Sequence, residues 1–188
     1  MRISLILAVL AAPLASTAAF ADCPAAPDVR REMLNLVSKA QAAETFTDGR
    51  RVSNQMWQVW LRAPNEQAQA VLDKGMARRD VADFAGAVAE FDRLVEYCPE
   101  YAEGWNQRAY IAFLQTDYEK ALADLDVALS LQPFHVAAQA GRALTLMNMG
   151  RIKEARTQML AAVDNNPWLS ERALLADGAP LGLPGKEL

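Results

Sequence analysis

The residue types that do chemistry are scarce in this chain: 188 residues hold one His and two Cys. A zinc site needs about four ligands of that kind, and a charge-relay site needs a His beside a nucleophile and a carboxylate. His135, just after Pro133, has no Ser, Cys or carboxylate spaced around it in that way and reads as a surface linker residue. Asp124 and Asp126 come nearest to a carboxylate pair, but two residues apart on a helix places them about 200° apart around the axis, so they cannot share one site. Metal-spaced Cys/His pairs and glycine-rich phosphate loops are missing from the sequence. The expectation is a protein with no catalytic residues, no metal and no cofactor. The Arg30-Arg31, Arg50-Arg51 and Arg78-Arg79 doublets sit among acidic or polar neighbours and read as solvated faces and helix-end charge compensation, with contact to an anionic partner as the alternative. Trp57, Trp60, Trp105 and Trp168 read as core packing rather than a cofactor-stacking set.

Composition narrows the class further. With 52% hydrophobic and 22% charged residues the chain is globular rather than a disordered tail. A formal charge of −4 gives no general grip on a phosphate backbone, so a nucleic-acid partner is not expected. Met1 and Arg2, an apolar run over Ile3 to Ala15 broken only by Ser4 and Pro13, and Ala19-Phe20-Ala21 form the pattern of a secretory signal peptide, residues 1–21, cut before Asp22. An uncleaved anchor is the rival, which Pro13, Ser16 and Thr17 weaken; lipid anchoring is disfavoured because Asp22, not a small residue, precedes Cys23. Loss of Arg2 takes the charge from −4 to −5. The mature protein is expected in the periplasm, without stable membrane insertion.

In that oxidising space Cys23 and Cys98 are expected to pair, tying the N-terminus to the middle of the fold. The closed loop, about 75 residues, corresponds to about 4 kcal/mol on the chain-entropy model. The alternative is a buried thiol at Cys98 and an exposed one at Cys23. A redox couple is disfavoured because such pairs usually stand as Cys-x-x-Cys.

Most of the information lies in a 34-residue period. At that offset Gly75 aligns with Ala109 and Ala143, Ala87 with Ala121 and Ala155, and Pro99 with Pro133 and Pro167. Phe91, Leu125 and Met159 form a further column, as do Leu94, Ala128 and Ala162. Small residues let two antiparallel helices approach closely, and the large ones fill the space between successive pairs. Each proline disfavours helical backbone at the residue before it, so the second helix of each unit must stop there. Asp83 and Asp117 are suited to cap second helices, and Gly150 to end a first helix in left-handed backbone. The units span 68–101, 102–135 and 136–169.

These columns resemble the tetratricopeptide repeat family, whose unit is a 34-residue helix-turn-helix. The middle unit carries the resemblance best, through Trp105, Ala109, Tyr118, Ala121, Ala128 and Pro133. The chain as a whole is similar to exported bacterial repeat proteins of unassigned function. The fold implied is all-α: a right-handed α–α superhelix of three repeats. An N-terminal helical hairpin within 22–67, with helices over 28–44 and 51–62, is expected to cap the open end of the first unit. A short capping helix over 170–176, begun by Ser170, follows the third unit, and 177–188 is expected to be a flexible tail.

The resemblance implies a concave groove lined by the first helices, with Leu72, Met76 and Arg79, then Asn106, Tyr110 and Phe113, then Ala140, Leu144 and Met147 facing it. The Asn and Lys set with which some family members clamp a terminal carboxylate is not present as a set. An apolar lining also serves as core, so the alternative is that the hairpin folds over and buries these residues. The function implied is a protein-protein interaction module holding an apolar helix or extended segment of a partner protein. The rival is a structural protein that self-associates into a homo-oligomer, and an enzyme is the least expected class.

Overall fold

The structure, a computed structural model, describes residues 22–183. The signal peptide expected over 1–21 lies outside the described residues, as do residues 184–188 of the tail.

Each prediction of a helix stop follows from one local rule. Cys98, Gln132 and Asn166 precede the three prolines, and all three leave the helical region, with ψ of 71°, 86° and 94°, which closes each helix. Three hairpins result: α3 (Glu66–Asp80) with α4 (Phe84–Tyr97), α5 (Ala102–Leu114) with α6 (Tyr118–Leu131), and α7 (Val136–Asn148) with α8 (Ile152–Asn165). They stack through α4 on α5 and α6 on α7 as an all-α solenoid. Ala87, Ala121 and Ala155 are fully buried at the close contacts, and Phe91, Leu125 and Met159 fill the layers between them. At Gly75 a Cβ would lie 2.4 Å from the Phe91 ring, so the absent side chain is what admits the larger one.

The turn inside each repeat has one shape. Ala82, Thr116 and Gly150, 34 residues apart, adopt φ of 59°, 62° and 75°. The next residue's N–H closes a 2.9 Å bond to the carbonyl of Arg78, Ala112 or Leu146, the pattern that ends a helix in a left-handed residue. Asp83 and Asp117 then cap the following helices by accepting from Gly86 N–H and Lys120 N–H. Thr116 carries a β-branched side chain in backbone that favours glycine. Thr116→Gly is expected to raise stability by about 1 kcal/mol, read as the midpoint of denaturant unfolding; an unchanged or lower midpoint would show the turn to be unstrained.

A charged column runs through the stack at the same period. Lys74, Arg108 and Arg142 each reach the second helix of their own unit, at Glu90 (2.6 Å), Asp124 (2.7 Å) and Gln158 (3.1 Å). Arg108 and Arg142 also reach back to the preceding unit, at Asp92 (2.9 Å) and Asp126 (2.7 Å). Asp124 and Asp126 thus serve different arginines from opposite sides of α6. The hydrogen bond from Lys74 holds the Glu90 carboxyl below its ordinary range, aided by Arg93 and Arg78.

The N-terminal hairpin does not go where the sequence reading puts it. Its helices, α1 (Arg30–Ala42) and α2 (Phe46–Trp60), pack against the third repeat rather than stacking on the first. Met33, Leu36, Val37, Ala40, Met56 and Trp60 share one core with Val136, Phe134, Trp168 and Leu169. Long-range hydrogen bonds pin them: Trp168 Nε1 donates to Ala40 O (2.8 Å), Gln41 Nε2 to Asp164 O (2.8 Å) and Asn166 Nδ2 to Ser53 Oγ (2.9 Å). Trp168 can lie against α2 because residue 49 is glycine; a Cβ there would stand 2.0 Å from the indole. Asp28 accepts from Arg30 N–H, but Val29 occupies the cap position of α1.

The pairing of Cys23 with Cys98 is present, joining the segment before α1 to the end of α4. After α8, Ser170–Leu175 forms a 3-10 helix with Leu169, not Ser170, at its cap; a six-residue piece is too short for a stable α-helix. The stretch expected to be a loose tail is packed where it is described. Leu181 is fully buried among Ala143, Leu146, Ala155 and Met159, and its N–H bonds Leu174 O at 2.9 Å. No helix among the described residues is long and apolar enough to cross a membrane.

Candidate functional site

The first helices of the repeats, α3, α5 and α7, form the concave face, and α2 lies across it. Between them is an open cavity of about 1000 Å³. Six aromatic residues line it: Phe46, Trp57 and Trp60 from α2, Tyr110 and Phe113 from α5, and Trp168. The α2 side also supplies Ser53, Asn54 and Arg50.

Of the nine groove positions the sequence pointed to, seven meet in this cavity: Met76, Arg79, Asn106, Tyr110, Phe113, Ala140 and Leu144. Tyr110 is the most open of them, 47% exposed. Leu72 and Met147 are placed elsewhere. Leu72 is fully buried in the core of the first repeat with Phe91 and Leu94, and Met147 packs on the core of the third. Both turn toward the second helix of their own unit, whose large side chains claim them.

Behind the cavity wall runs a buried polar chain that begins at His135 and reaches the lining at Asn106, Gln107 and Arg79. His135 is not on the surface: it is fully buried, and Trp60 stacks flat on its ring at 4.3 Å. His135 Nδ1 accepts from Ala138 N–H (3.2 Å) and so caps α7, which leaves Nε2 to donate to Glu103 Oε2 at 2.7 Å. Glu103, itself buried, also accepts from Gln107 Nε2 (2.5 Å) and Asn106 Nδ2 (3.1 Å). Gln107 Oε1 in turn accepts from Arg79 Nη1 at 2.6 Å. Tyr101 donates its hydroxyl to Trp60 O at 2.7 Å, and burial pushes that phenol above its ordinary range, keeping it a donor. The chain fixes the side chains of Asn106 and Arg79 at the cavity wall. It offers no activated nucleophile. Among the described residues no group of three or more His, Cys, Asp or Glu is arranged to hold a metal ion.

Three arginine–aromatic pairs ring the cavity. Arg79 lies over Tyr110 (5.9 Å), Arg50 over Phe46 (5.7 Å) and Arg172 over Trp168 (5.6 Å). The Phe46 and Trp168 rings meet edge-on with centroids 6.4 Å apart. Sequence reasoning placed Arg79 here and missed Phe46, Arg50, Trp57, Trp168 and Arg172. The available signal was the concentration of aromatic residues in α2, which exceeds what a two-helix cap needs. Of the four tryptophans expected to pack in the core, Trp60 is buried there, Trp105 and Trp168 are partly buried against it, and Trp57 is 38% exposed at the cavity.

Comparison with known proteins agrees with this architecture. Residues 102–135 match the family model described as Tetratricopeptide repeat. A tetratricopeptide repeat-containing protein of Rhizobium etli is 37% identical over 59 residues, 31% of this chain and 29% of that one. Tetratricopeptide repeat protein 36 of Xenopus tropicalis is 34% identical over 116 residues, 58% of this chain and 56% of that one. The chain thus matches between under a third and a little over half of the length of these relatives. Among solved structures, the TPR2B domain of yeast Sti1 in complex with pHsp70 superposes with a TM-score of 0.54 at 20% identity, over 58% of this chain and 88% of that one. The first TPR of Spaghetti bound to the HSP90 peptide SRMEEVD gives 0.56 at 17% identity, over 58% and 87%. MamA of Desulfovibrio magneticus gives 0.51 at 17% identity, over 76% and 78%.

Proposed function

We propose that this chain, a tetratricopeptide repeat protein by its middle unit and its fold, is an exported, non-enzymatic interaction module that takes an apolar segment of a partner protein into the cavity under α2. The observation that carries this reading is the cavity itself, about 1000 Å³, open, and walled by six aromatic side chains. Its size suits a short extended segment. A whole helix, about 10–12 Å across, fits less well because α2 already lies in the groove. Support comes also from the Sti1 and Spaghetti domains, which share the fold and hold pHsp70 and an HSP90 peptide. Export is supported by the signal-like pattern of residues 1–21 together with the disulfide.

Crosslinked capture from periplasmic extract tests the reading, with a Tyr110→Ala, Phe113→Ala double variant as control. A protein held by the wild type and lost by the still-folded variant is the expected result; equal capture, or none, overturns the groove. A purified protein whose N-terminus is not Asp22 overturns processing at that site.

A second reading, self-assembly, is favoured by one feature. Val81, 76% exposed, and Leu114, 40% exposed, stand on the same turn edge of the solenoid. Light scattering that shows a monomer removes it.

A further inference from the structure

We infer that the segment accepted by the cavity is acidic as well as apolar, and that Arg50 and Arg172 receive its carboxylates. This rests on the groove reading above and specifies its partner. Two arginines outside the repeats, one on α2 and one on the 3-10 helix, are brought together by the Phe46–Trp168 contact. Neither has a carboxylate within ion-pair distance among the described residues; Arg172 donates only to the carbonyl of Pro167, at 2.7 Å. Each guanidinium lies on a ring face, which shields one side from water and leaves its planar donor edge to meet a carboxylate with two hydrogen bonds.

The acidic groups at the cavity do not cancel them. Asp80 is taken up by Arg79, whose Nε and Nη2 both donate to it, at 2.9 and 2.7 Å. Glu171 accepts from the Ser170 hydroxyl at 2.9 Å and is the one remaining carboxylate of the lining. The cavity therefore carries three guanidiniums against two carboxylates, in a chain whose formal charge is −4. An acidic segment is repelled by the net charge of the molecule and attracted by the excess of guanidinium at the cavity, which guides its approach and sets its orientation. The aromatic walls take its apolar side chains, and the amide of Asn106, held by Glu103, faces its backbone.

Fluorescence anisotropy with three dye-labelled eight-residue peptides tests this. All alternate Phe or Leu with a second residue, which is Glu in the first, Gln in the second and Lys in the third, and their termini are blocked so that no terminal carboxylate contributes. The Glu peptide is expected to bind at least about tenfold tighter than the Gln peptide, with the gap closing as salt is raised. Arg50→Glu with Arg172→Glu should transfer the preference to the Lys peptide. Both positions are surface-lying, and Arg50→Gln with Arg172→Gln, which should erase the preference without inverting it, guards against loss of fold. Equal binding of the Glu and Gln peptides, or a Glu preference that survives both arginine variants, overturns the acidic assignment and leaves the groove standing. Binding of none of the three, or binding unchanged by the Tyr110→Ala, Phe113→Ala variant, overturns the groove and the assignment with it.

Discussion

Trp60→Ala is expected to destabilise the protein by about 3–5 kcal/mol, the range for removing a buried large aromatic side chain, and to abolish peptide binding in the cavity. The indole is 3% exposed, stacks on His135 and is the point where α2 meets the concave face. Its loss leaves a void between Val136 and the Met56 layer and uncovers the His135–Glu103 pair to water. Trp57→Ala, one turn away and half open, is the matched control, with a cost of about 1 kcal/mol. Trp60→Phe distinguishes packing from hydrogen bonding. Trp60 Nε1 is buried with no partner, so a benzene ring keeps the stack while removing an orphaned donor. That variant is expected to lie within about 1.5 kcal/mol of the wild type. Urea unfolding of the three proteins checks the order. A Trp60→Ala midpoint near that of Trp57→Ala would mean that α2 is not part of the cooperative core.

The second large effect is Arg108→Ala, expected to cost about 3 kcal/mol. Arg108 is 16% exposed and makes two bonds of 2.7 Å to Asp124, itself nearly buried, and one to Asp92. Truncation strands a carboxylate away from water between two helices, and that desolvated charge, not the lost attraction, is the main cost. The equivalent residue one repeat later makes the contrast. Arg142 pairs with Asp126, which is 54% exposed and recovers hydration when its partner is gone, so Arg142→Ala is expected to cost about 1 kcal/mol or less. Arg108→Ala combined with Asp124→Ala should recover part of the loss, because no charge is then left buried. Comparable costs for Arg108→Ala and Arg142→Ala, or no recovery in the double variant, would remove the explanation.

The repeats were legible because everything that makes them is short-range. Ala87, Phe91 and Leu94 pack against helices adjacent in the chain, so their types recur wherever the same neighbour contact recurs. The 34-residue period therefore exposes them, along with the prolines and the turn residues at 82, 116 and 150. The same period carries Lys74, Arg108 and Arg142 with their acidic partners, a signal that is present in the sequence and is easily overlooked beside the apolar columns. The disulfide was legible from cysteine count, because only two thiols are present to choose from.

The placement of α1 and α2 follows no such repeat. It depends on contacts more than 100 residues apart, such as Gln41 to Asp164 and Asn166 to Ser53, and on the Gly49 hollow that receives Trp168. That one event of packing changes the reading of residues far away. His135 becomes a buried cap because Trp60 lands on it, and the groove becomes an open cavity with α2 as one wall. Arg50 and Arg172 become neighbours of a single aromatic pair. The amino-acid sequence by itself determined the helices, their ends and the stacking of three repeats, since local backbone sterics and nearest-neighbour burial suffice for these. Only the tertiary structure decided what walls the groove and which charges face it, because an amphipathic hairpin can bury its apolar face on several surfaces, and its fit to the third repeat selects one.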